Sequence, residues 1–226
     1  MIDQIKIGNT HSFYDFEASV TERKNNKPKK KSIKETVPFS NITHDFSAIN
    51  GEIYWEEREL EYTFEITANS AEELEQKKQP FVAWIMNVMN EELHDPFIKD
   101  YHFLATYADM DEDDSEFEKS SITVRFTAYP YMISNEKKIF VCRGVATNYV
   151  TTIIQNDSCH RIVPRLTASA ECSIFINHDG IETVYTLPAG EFEDERFMLN
   201  PGETAIGVKT VTGSGSVTVE FNVEVF

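Results

Sequence analysis

The sequence predicts a mainly β protein of the α+β class, with two domains and one helix. Several segments alternate strictly between apolar and polar residues, as strands with one buried face do. One segment instead carries apolar residues at helical spacing. Turn-forming residues are dense in the second half and divide it into short strands, which is typical of an antiparallel sandwich.

The clearest alternation is the segment ELEYTFEI, residues 59–66. Its apolar members share one face and its glutamates and threonine share the other; the apolar ones are Leu60, Tyr62, Phe64 and Ile66. The same period of two recurs at residues 101–107, 122–128 and 217–225. Each segment is therefore predicted to be an antiparallel strand with one face in the core.

A helix is predicted at about residues 70–90. Ser70 and Glu73 have the spacing of a capping box, in which each side chain accepts from a backbone N–H at the helix start. An apolar stripe follows, formed by Phe81, Trp84, Ile85, Val88 and Met89. Pro80 lies inside this pattern, and because proline removes one backbone hydrogen bond it is expected to kink or split the helix.

Two domains are predicted, residues 1–133 and 134–226, with the boundary in the polar run at 134–138. The first contains strands, the helix and a basic segment. The second contains short strands separated by turns at residues 177–180, 188–190, 200–202 and 213–215. The turn Gly213-Ser214-Gly215 precedes the last alternating strand and predicts a tight hairpin.

The composition excludes several classes of protein. With 38 acidic and 21 basic residues the chain has a formal charge of −17, so we expect no sequence-specific nucleic-acid binding. No apolar run approaches the roughly 20 residues that cross a bilayer, and the amino terminus does not have a secretory pattern. We therefore expect no membrane partner. The three cysteines have neither disulfide-scaffold nor zinc-ribbon spacing.

Motifs for catalysis, cofactors and metals are not found, so an enzyme is not predicted. The six histidines are scattered, with no pair at helical i, i+4 spacing. The acidic run at residues 109–114 resembles a calcium loop only superficially, because Asp114 and Ser120 stand where glycine and glutamate are needed. It is expected to be a solvated loop between two strands.

The most unusual feature is a basic segment with no acid, residues 23–34. It holds seven of the 21 basic residues: Arg23, Lys24, Lys27, Lys29, Lys30, Lys31 and Lys34. Unpaired ammonium groups are costly to bury, so the segment is expected to be solvated or to meet acidic surface. A solvated loop without a partner and a nucleic-acid arm are alternatives; the latter has no aromatic residues for base stacking.

Eight short segments, taken in order, resemble the distal tail protein (Dit) family of siphophages that infect Gram-positive bacteria. They are residues 11–16 (HSFYDF, resembling the opening strand), 37–38 (VP), 44–47 (HDFS), 58–64 (RELEYTF), 99–105 (KDYHFLA), 126–131 (FTAYPY), 200–204 (NPGET) and 213–219 (GSGSVTV). They extend over nearly the whole chain. The resemblance implies a ring-forming first domain with an extended arm at residues 21–36, and a galectin-like sandwich as the second domain.

The resemblance also implies a function. A Dit-like chain would form a homohexameric ring at the virion tail tip, assembled in the host cytoplasm. The ring would join the tail tube to the tail-associated lysin or tail-fibre hub and let DNA pass through its channel. The basic arm would then pair with carboxylates of a neighbouring subunit. The alternative function is a carbohydrate-binding module that recognises the host cell wall through the second domain.

Overall fold

The strands and helices divide between two structural units. The computed structural model describes residues 3–36, 39, 41–48, 53–116, 118–178 and 181–226. One unit comprises residues 1–132 together with Phe226, and the other comprises residues 133–225. The predicted step at residues 37–38 and the end of the predicted turn, at 179–180, lie outside the described residues.

In the described part of the first unit, seven strands form an antiparallel sheet. Its strands are β1 (Lys6–Ile7), β2 (Thr10–His11), β3 (Ser19–Asn25), β6 (Arg58–Thr67), β7 (Glu91–His94), β8 (Tyr101–Glu116) and β9 (Lys119–Ala128). They lie side by side in the order β3-β6-β9-β8-β7-β1-β2. A separate antiparallel pair consists of β4 (Lys34–Thr36) and β5 (Thr43–Asp45).

The alternation predicted from the sequence is confirmed in this sheet. Along β6, Leu60, Tyr62, Phe64 and Ile66 are buried, whereas the residues between them are more exposed. The same face of β9 contributes Ile122, Val124 and Phe126 to the same core. Each strand buries one full face, which explains why the alternation of apolar and polar residues was enough to predict it.

The long helix, α2 (Ala71–Met86), packs on this core through Leu74, Phe81 and Ile85. Its predicted start is confirmed, because the Ser70 hydroxyl accepts from the Glu73 N–H at 3.2 Å. The Glu73 carboxylate accepts from the backbone N–H of Asn69 at 3.0 Å. The helix is not split at Pro80, which is exposed. It ends at Met86, so Met89 lies beyond it and is 77% exposed.

A second, shorter helix was not predicted. α1 (Ser12–Phe16) occupies most of the segment HSFYDF, which the resemblance assigned to a strand. Phe16 stacks on Trp84 of α2 with ring centroids 5.0 Å apart, so an aromatic contact holds this turn against the longer helix. Glu17 ends α1 in the left-handed region, at φ 58°.

The second unit is a β-sandwich, as predicted. Its strands are β10 (Met132–Val145, of which Met132 belongs to the first unit), β11 (Val150–Asn156), β12 (Arg165–Ala168), β13 (Cys172–His178), β14 (Ile181–Leu187), β15 (Gly190–Phe192), β16 (Gly202–Thr210) and β17 (Ser214–Val225). One layer has the order β11-β16-β13-β14 and the other β15-β12-β17-β10. Ile174, Val208, Leu166 and Val219 are among the side chains that form its core.

The predicted hairpin at Gly213-Ser214-Gly215 is wrong. β16 does not pair with β17. It pairs with β11 and β13, and near its end with β10 in parallel at Val145 and Lys209, whereas β17 pairs with β12 and β10. The turn therefore carries the chain from one layer to the other. Gly213 has φ +66°, which explains the glycine at that position. The alternation in β17 is confirmed, with Val217, Val219, Phe221 and Val223 buried.

The acidic run at residues 109–114 is not a loop, which corrects the prediction. It belongs to β8, which pairs with β9 out to Glu116. Arg125 of β9 contacts three carboxylates, those of Asp109 at 3.2 Å, Asp111 at 2.7 Å and Glu61 at 3.1 Å. A cross-strand arginine therefore offsets part of the repulsion that led us to expect a loop.

Candidate functional site

The basic segment lies on one strand of a two-stranded ribbon that leaves the edge of the first unit's sheet. Arg23 and Lys24 belong to β3 and pair with Tyr62 and Glu61 of β6. The ladder continues past both strands in the same register. Lys30 forms a β-bridge with Trp55, and the backbone N–H of Lys31 donates to the Tyr54 carbonyl at 2.8 Å.

The ribbon changes register near its middle. β4 and β5 pair Lys34 with Asp45, and the hydroxyl of Ser47, a buried residue, accepts from the backbone N–H of Ile33 at 2.9 Å. We call the described residues of this segment, 26–36, 39, 41–48 and 53–57, the arm. Extended strands form here because the arm's backbone groups pair mainly with each other rather than with the sheet.

The base of the arm is anchored by Arg23. Its Nε donates to the buried carboxylate of Asp95 at 3.1 Å, and its guanidinium lies 4.5 Å from the centre of the Phe97 ring. Asp95 also accepts from the Tyr62 hydroxyl at 3.2 Å. Burial, and then the nearby Asp95 charge, raise the pKa of Tyr62 well above its usual value. Arg23 therefore contacts the folded body of the first unit at the base of the arm.

The remaining basic residues are exposed, and acidic residues of the same chain stand opposite them. A cavity of about 410 Å³ is lined by Lys24, Lys27 and Lys29 on one strand and by Glu56, Glu57 and Glu59 on the other. The Glu56 N–H donates to the Lys29 carbonyl at 2.8 Å, which places these two residues directly across the ribbon. The sequence interpretation placed the complementary carboxylates on a neighbour, and the structure places some of them on the arm itself.

The arm also exposes apolar side chains, which the sequence interpretation missed. They are Ile33, Phe39, Ile42, Phe46, Ile53 and Tyr54, with exposed fractions from 39% to 111%. We call them the apolar arm residues. By contrast, Trp55 is half-buried and its ring packs 4.7 Å from that of Phe226, within the first unit. A concentration of exposed apolar groups on one segment is typical of a protein interface.

The fold was compared with known proteins. No protein-family model and no curated protein sequence matches the chain. The crystal structure of the Dit protein of phage SPP1, described as a paradigm of the hub adsorption apparatus in Gram-positive-infecting phages, aligns over 96% of this chain and 98% of its own. Its TM-score is 0.63 and its sequence identity 12%. The chain has a Dit fold. The phage P2 baseplate, in its activated conformation with Ca, aligns over 97% of this chain and 98% of its own, with TM-score 0.42 and 12% identity.

A second cluster in this Dit fold combines groups that the sequence left scattered. Glu92 and His94 alternate with the core residue Leu93 on β7, so they share the opposite face. His102 lies on the adjacent strand β8, and its ring centroid is 5.1 Å from that of His94. The Glu92 carboxylate lies 3.3 Å from His94 Nε2 and 4.0 Å from His102 Nε2.

Sequence inspection could not find this cluster. His94 and His102 are separated by the turn between two strands, and only the β7–β8 register brings them together. His102 is buried, whereas Glu92 is exposed. The alternating positions 92 and 94 were the one available signal.

In the part of the chain that the structure describes, no helix is long and apolar enough to span a membrane.

Proposed function

We propose that this chain is a structural protein of the tail tip of a phage, prophage or tail-like particle. The Dit fold over 96% of the chain is the observation that carries this proposal. In the proposed assembly, six copies form a ring that joins the tail tube to the tail-associated lysin or tail-fibre hub. The chain then works as a building block in the virion tail, after assembly in the host cytoplasm, and not as an enzyme.

The arm is the proposed contact between subunits. A ring requires one surface of each copy to bind a different surface of the next, so that the contact repeats and closes. The apolar arm residues supply apolar surface that a neighbouring subunit can bury. Burial of such surface contributes a free energy of about 25 cal/mol per Å² to association. Lys27, Lys29, Lys30, Lys31 and Lys34 would fix the register of the contact and speed association with an acidic neighbour.

The charge of the chain fits a conduit for DNA. With a formal charge of −17, a ring of several copies repels phosphates over distances of about one Debye length. DNA can then pass through the central channel without being held. The basic residues are compatible with this function because the arm also contains glutamates that offset part of their charge.

Particle imaging tests this proposal most directly. The purified chain, examined by negative-stain electron microscopy and by multi-angle light scattering at high protein concentration and low salt, is expected to show six-fold rings with a central channel. A protein that remains monomeric under all these conditions, and also when mixed with a tail-tube protein, contradicts the ring.

A second candidate function is sugar binding by the second unit. A cavity of about 270 Å³ there has aromatic walls from Tyr185, Phe192 and Phe197 and a rim that includes Glu193 and Asp194. Aromatic faces with nearby carboxylates can hold a sugar ring and its hydroxyls. Saturable binding of the chain to purified Gram-positive cell wall, lost in Tyr185→Ala, would support this function; unchanged binding in that variant, or none at all, would exclude this cavity.

A further inference from the structure

The cluster of Glu92, His94 and His102 has the composition and geometry of a metal site. The three candidate ligand atoms lie within 4.8 Å of one another. In a tetrahedral zinc site with bonds of about 2.0 Å, ligand atoms stand roughly 3.3 Å apart. Glu92 Oε2 lies 3.3 Å from His94 Nε2, which matches this value. The other carboxylate oxygen, Oε1, lies 4.0 Å from His102 Nε2, so side-chain rotation must bring one oxygen and the two nitrogens around a common ion.

The donor set selects the class of ion. Two imidazole nitrogens and one carboxylate oxygen suit zinc and similar transition metals, whereas calcium and magnesium prefer oxygen ligands alone. Three protein ligands leave one tetrahedral position open, as in zinc sites that also bind water or another small group. The two strands fix the ligands in advance, because Glu92 and His94 share one face of β7 and His102 stands on the paired strand.

A cavity beside the cluster supplies space for a further ligand. It measures about 290 Å³ and shares His94 with the cluster. Two buried side-chain atoms of residues that line it, His11 Nδ1 and Gln4 Oε1, have no hydrogen-bond partner in the structure. Buried polar atoms normally have partners, so this cavity is suited to a water or a small polar group. Such a group could complete the coordination of an ion held at His94.

The electrostatics of the site are mixed. Glu92 attracts a cation, and the backbone pairs Lys6 of β1 directly with His94. Lys6 and His94 also line the same cavity, and because like charges repel, the Lys6 ammonium opposes a cation bound at His94. Removal of this charge is therefore expected to strengthen the binding of a metal cation.

We propose that Glu92, His94 and His102 bind one Zn²⁺ ion per chain, through the two imidazole Nε2 atoms and a Glu92 carboxylate oxygen, with the fourth position facing a small ligand. This proposal is independent of the tail-tip function. It assigns a metal site to a part of the first unit that the arm does not use.

The test uses Co²⁺ and Zn²⁺ as probes on the full chain. Because Cys159 is an exposed thiol that could bind these ions, all proteins carry Cys159→Ser. Co²⁺ is expected to give the visible absorption bands of tetrahedral coordination at one equivalent per chain, and Zn²⁺ to displace it. Glu92→Gln and His94→Gln are expected to weaken binding by at least about tenfold, and Lys6→Gln to strengthen it.

Matched controls separate this site from general affinity of histidine for metals. His160 and Glu224 form another histidine–glutamate pair, in the second unit, with Nε2 and Oε2 at 2.7 Å. His160→Gln is expected to leave Co²⁺ binding unchanged. The proposal is overturned if the parent binds neither Co²⁺ nor Zn²⁺. It is also overturned if Glu92→Gln and His94→Gln bind these ions as tightly as the parent does. Circular dichroism of each variant verifies that the fold is retained, since neither Glu92 nor His94 is fully buried.

Discussion

Arg23 donates from its Nε atom to the Asp95 carboxylate across 3.1 Å, and the aspartate side chain is 96% buried. Asp95 stands directly after β7, so this contact ties the base of the arm to a strand that is not its neighbour in the sheet and to a residue 72 positions away in sequence. The first basic residue of the segment is therefore a structural anchor. The exposed lysines beyond it are available for other contacts.

Replacement of Arg23 by glutamine is expected to destabilise the first unit by about 1–3 kcal/mol, because a buried carboxylate loses a charged donor. Urea unfolding followed by tryptophan fluorescence measures this, since Trp55 and Trp84 are both in the first unit. Lys24→Gln is the control. Its ammonium is 62% exposed and 3.9 Å from Glu61, so a change within about 0.5 kcal/mol is expected. Equal effects of the two variants would contradict the anchor.

The raised pKa of Tyr62 leads us to expect that the first unit loses stability at alkaline pH. Its pKa in the folded protein is well above the usual 10.0, chiefly because it is buried. Above about pH 10 the unfolded chain releases this proton and the folded chain keeps it, so the free energy of unfolding falls as pH rises. Below that pH both states are protonated and the residue adds no pH dependence. The stability of the parent minus that of Tyr62→Phe should decline from about pH 9 to about pH 11; a flat difference would be inconsistent with the raised pKa.

The packing around Gly207 leaves no room for a larger side chain in the sandwich. A Cβ atom at this position would lie 2.6 Å from Cδ1 of Phe175, closer than side-chain atoms normally approach. Gly207→Ala is therefore expected to destabilise the second unit by about 1–3 kcal/mol through overpacking. Thermal unfolding monitored by circular dichroism gives the change. Restored stability in Gly207→Ala with Phe175→Leu would identify the ring as the cause, and a fully stable Gly207→Ala would refute the contact.

The lysines of the arm can balance glutamates within the arm, or they can contact a neighbouring subunit. Charge exchange distinguishes these two functions. Reversal at Lys29, Lys30 and Lys31, each to glutamate, is expected to weaken ring assembly, as measured by light scattering, and to leave the subunit folded. Lys29 faces Glu56 across the ribbon, so Lys29→Glu combined with Glu56→Lys keeps opposite charges within the arm. If this exchange assembles normally while the triple reversal does not, the internal charge balance matters. If both fail, the lysines act on a neighbour.

The apolar arm residues predict a larger effect than the lysines. Ile42→Ser with Ile53→Ser removes side chains that are 63% and 51% exposed, so subunit stability should change by no more than about 0.5 kcal/mol each. Ring formation should nevertheless fall at least tenfold in apparent affinity, about 1.4 kcal/mol, because the neighbour loses its apolar contact. Ile139→Ser with Val184→Ser, at 58% and 57% exposure on the second unit, is the control. Comparable losses in both pairs would remove the case for the arm.

Where local physics decides the structure, sequence interpretation succeeded. The strands at residues 59–66 and 122–128 were predictable because each buries one complete face, and the start of α2 because Ser70 and Glu73 satisfy nearby backbone donors. The turn at Gly213 was recognised from the sequence, but the layer that the next strand joins was not. A glycine permits a positive φ and does not determine whether the next strand joins the same layer or the opposite one.

The candidate sites depended on contacts distant in sequence. The basic segment was visible as composition, but its partners Asp95 and Glu56 became known only through the register of the ribbon and sheet. The histidine cluster is a product of the β7–β8 pairing alone.

The sequence by itself determined the class of the chain: mainly β, acidic, with one long capped helix and a basic segment too charged to bury. These properties follow from side-chain periodicity and solvation, which act locally. Only the tertiary structure decided which surfaces the chain presents. Strand pairing places the apolar arm residues in solvent, gives Arg23 a buried carboxylate and assembles Glu92, His94 and His102, because register between strands distant in sequence is set by the whole core rather than by any one segment.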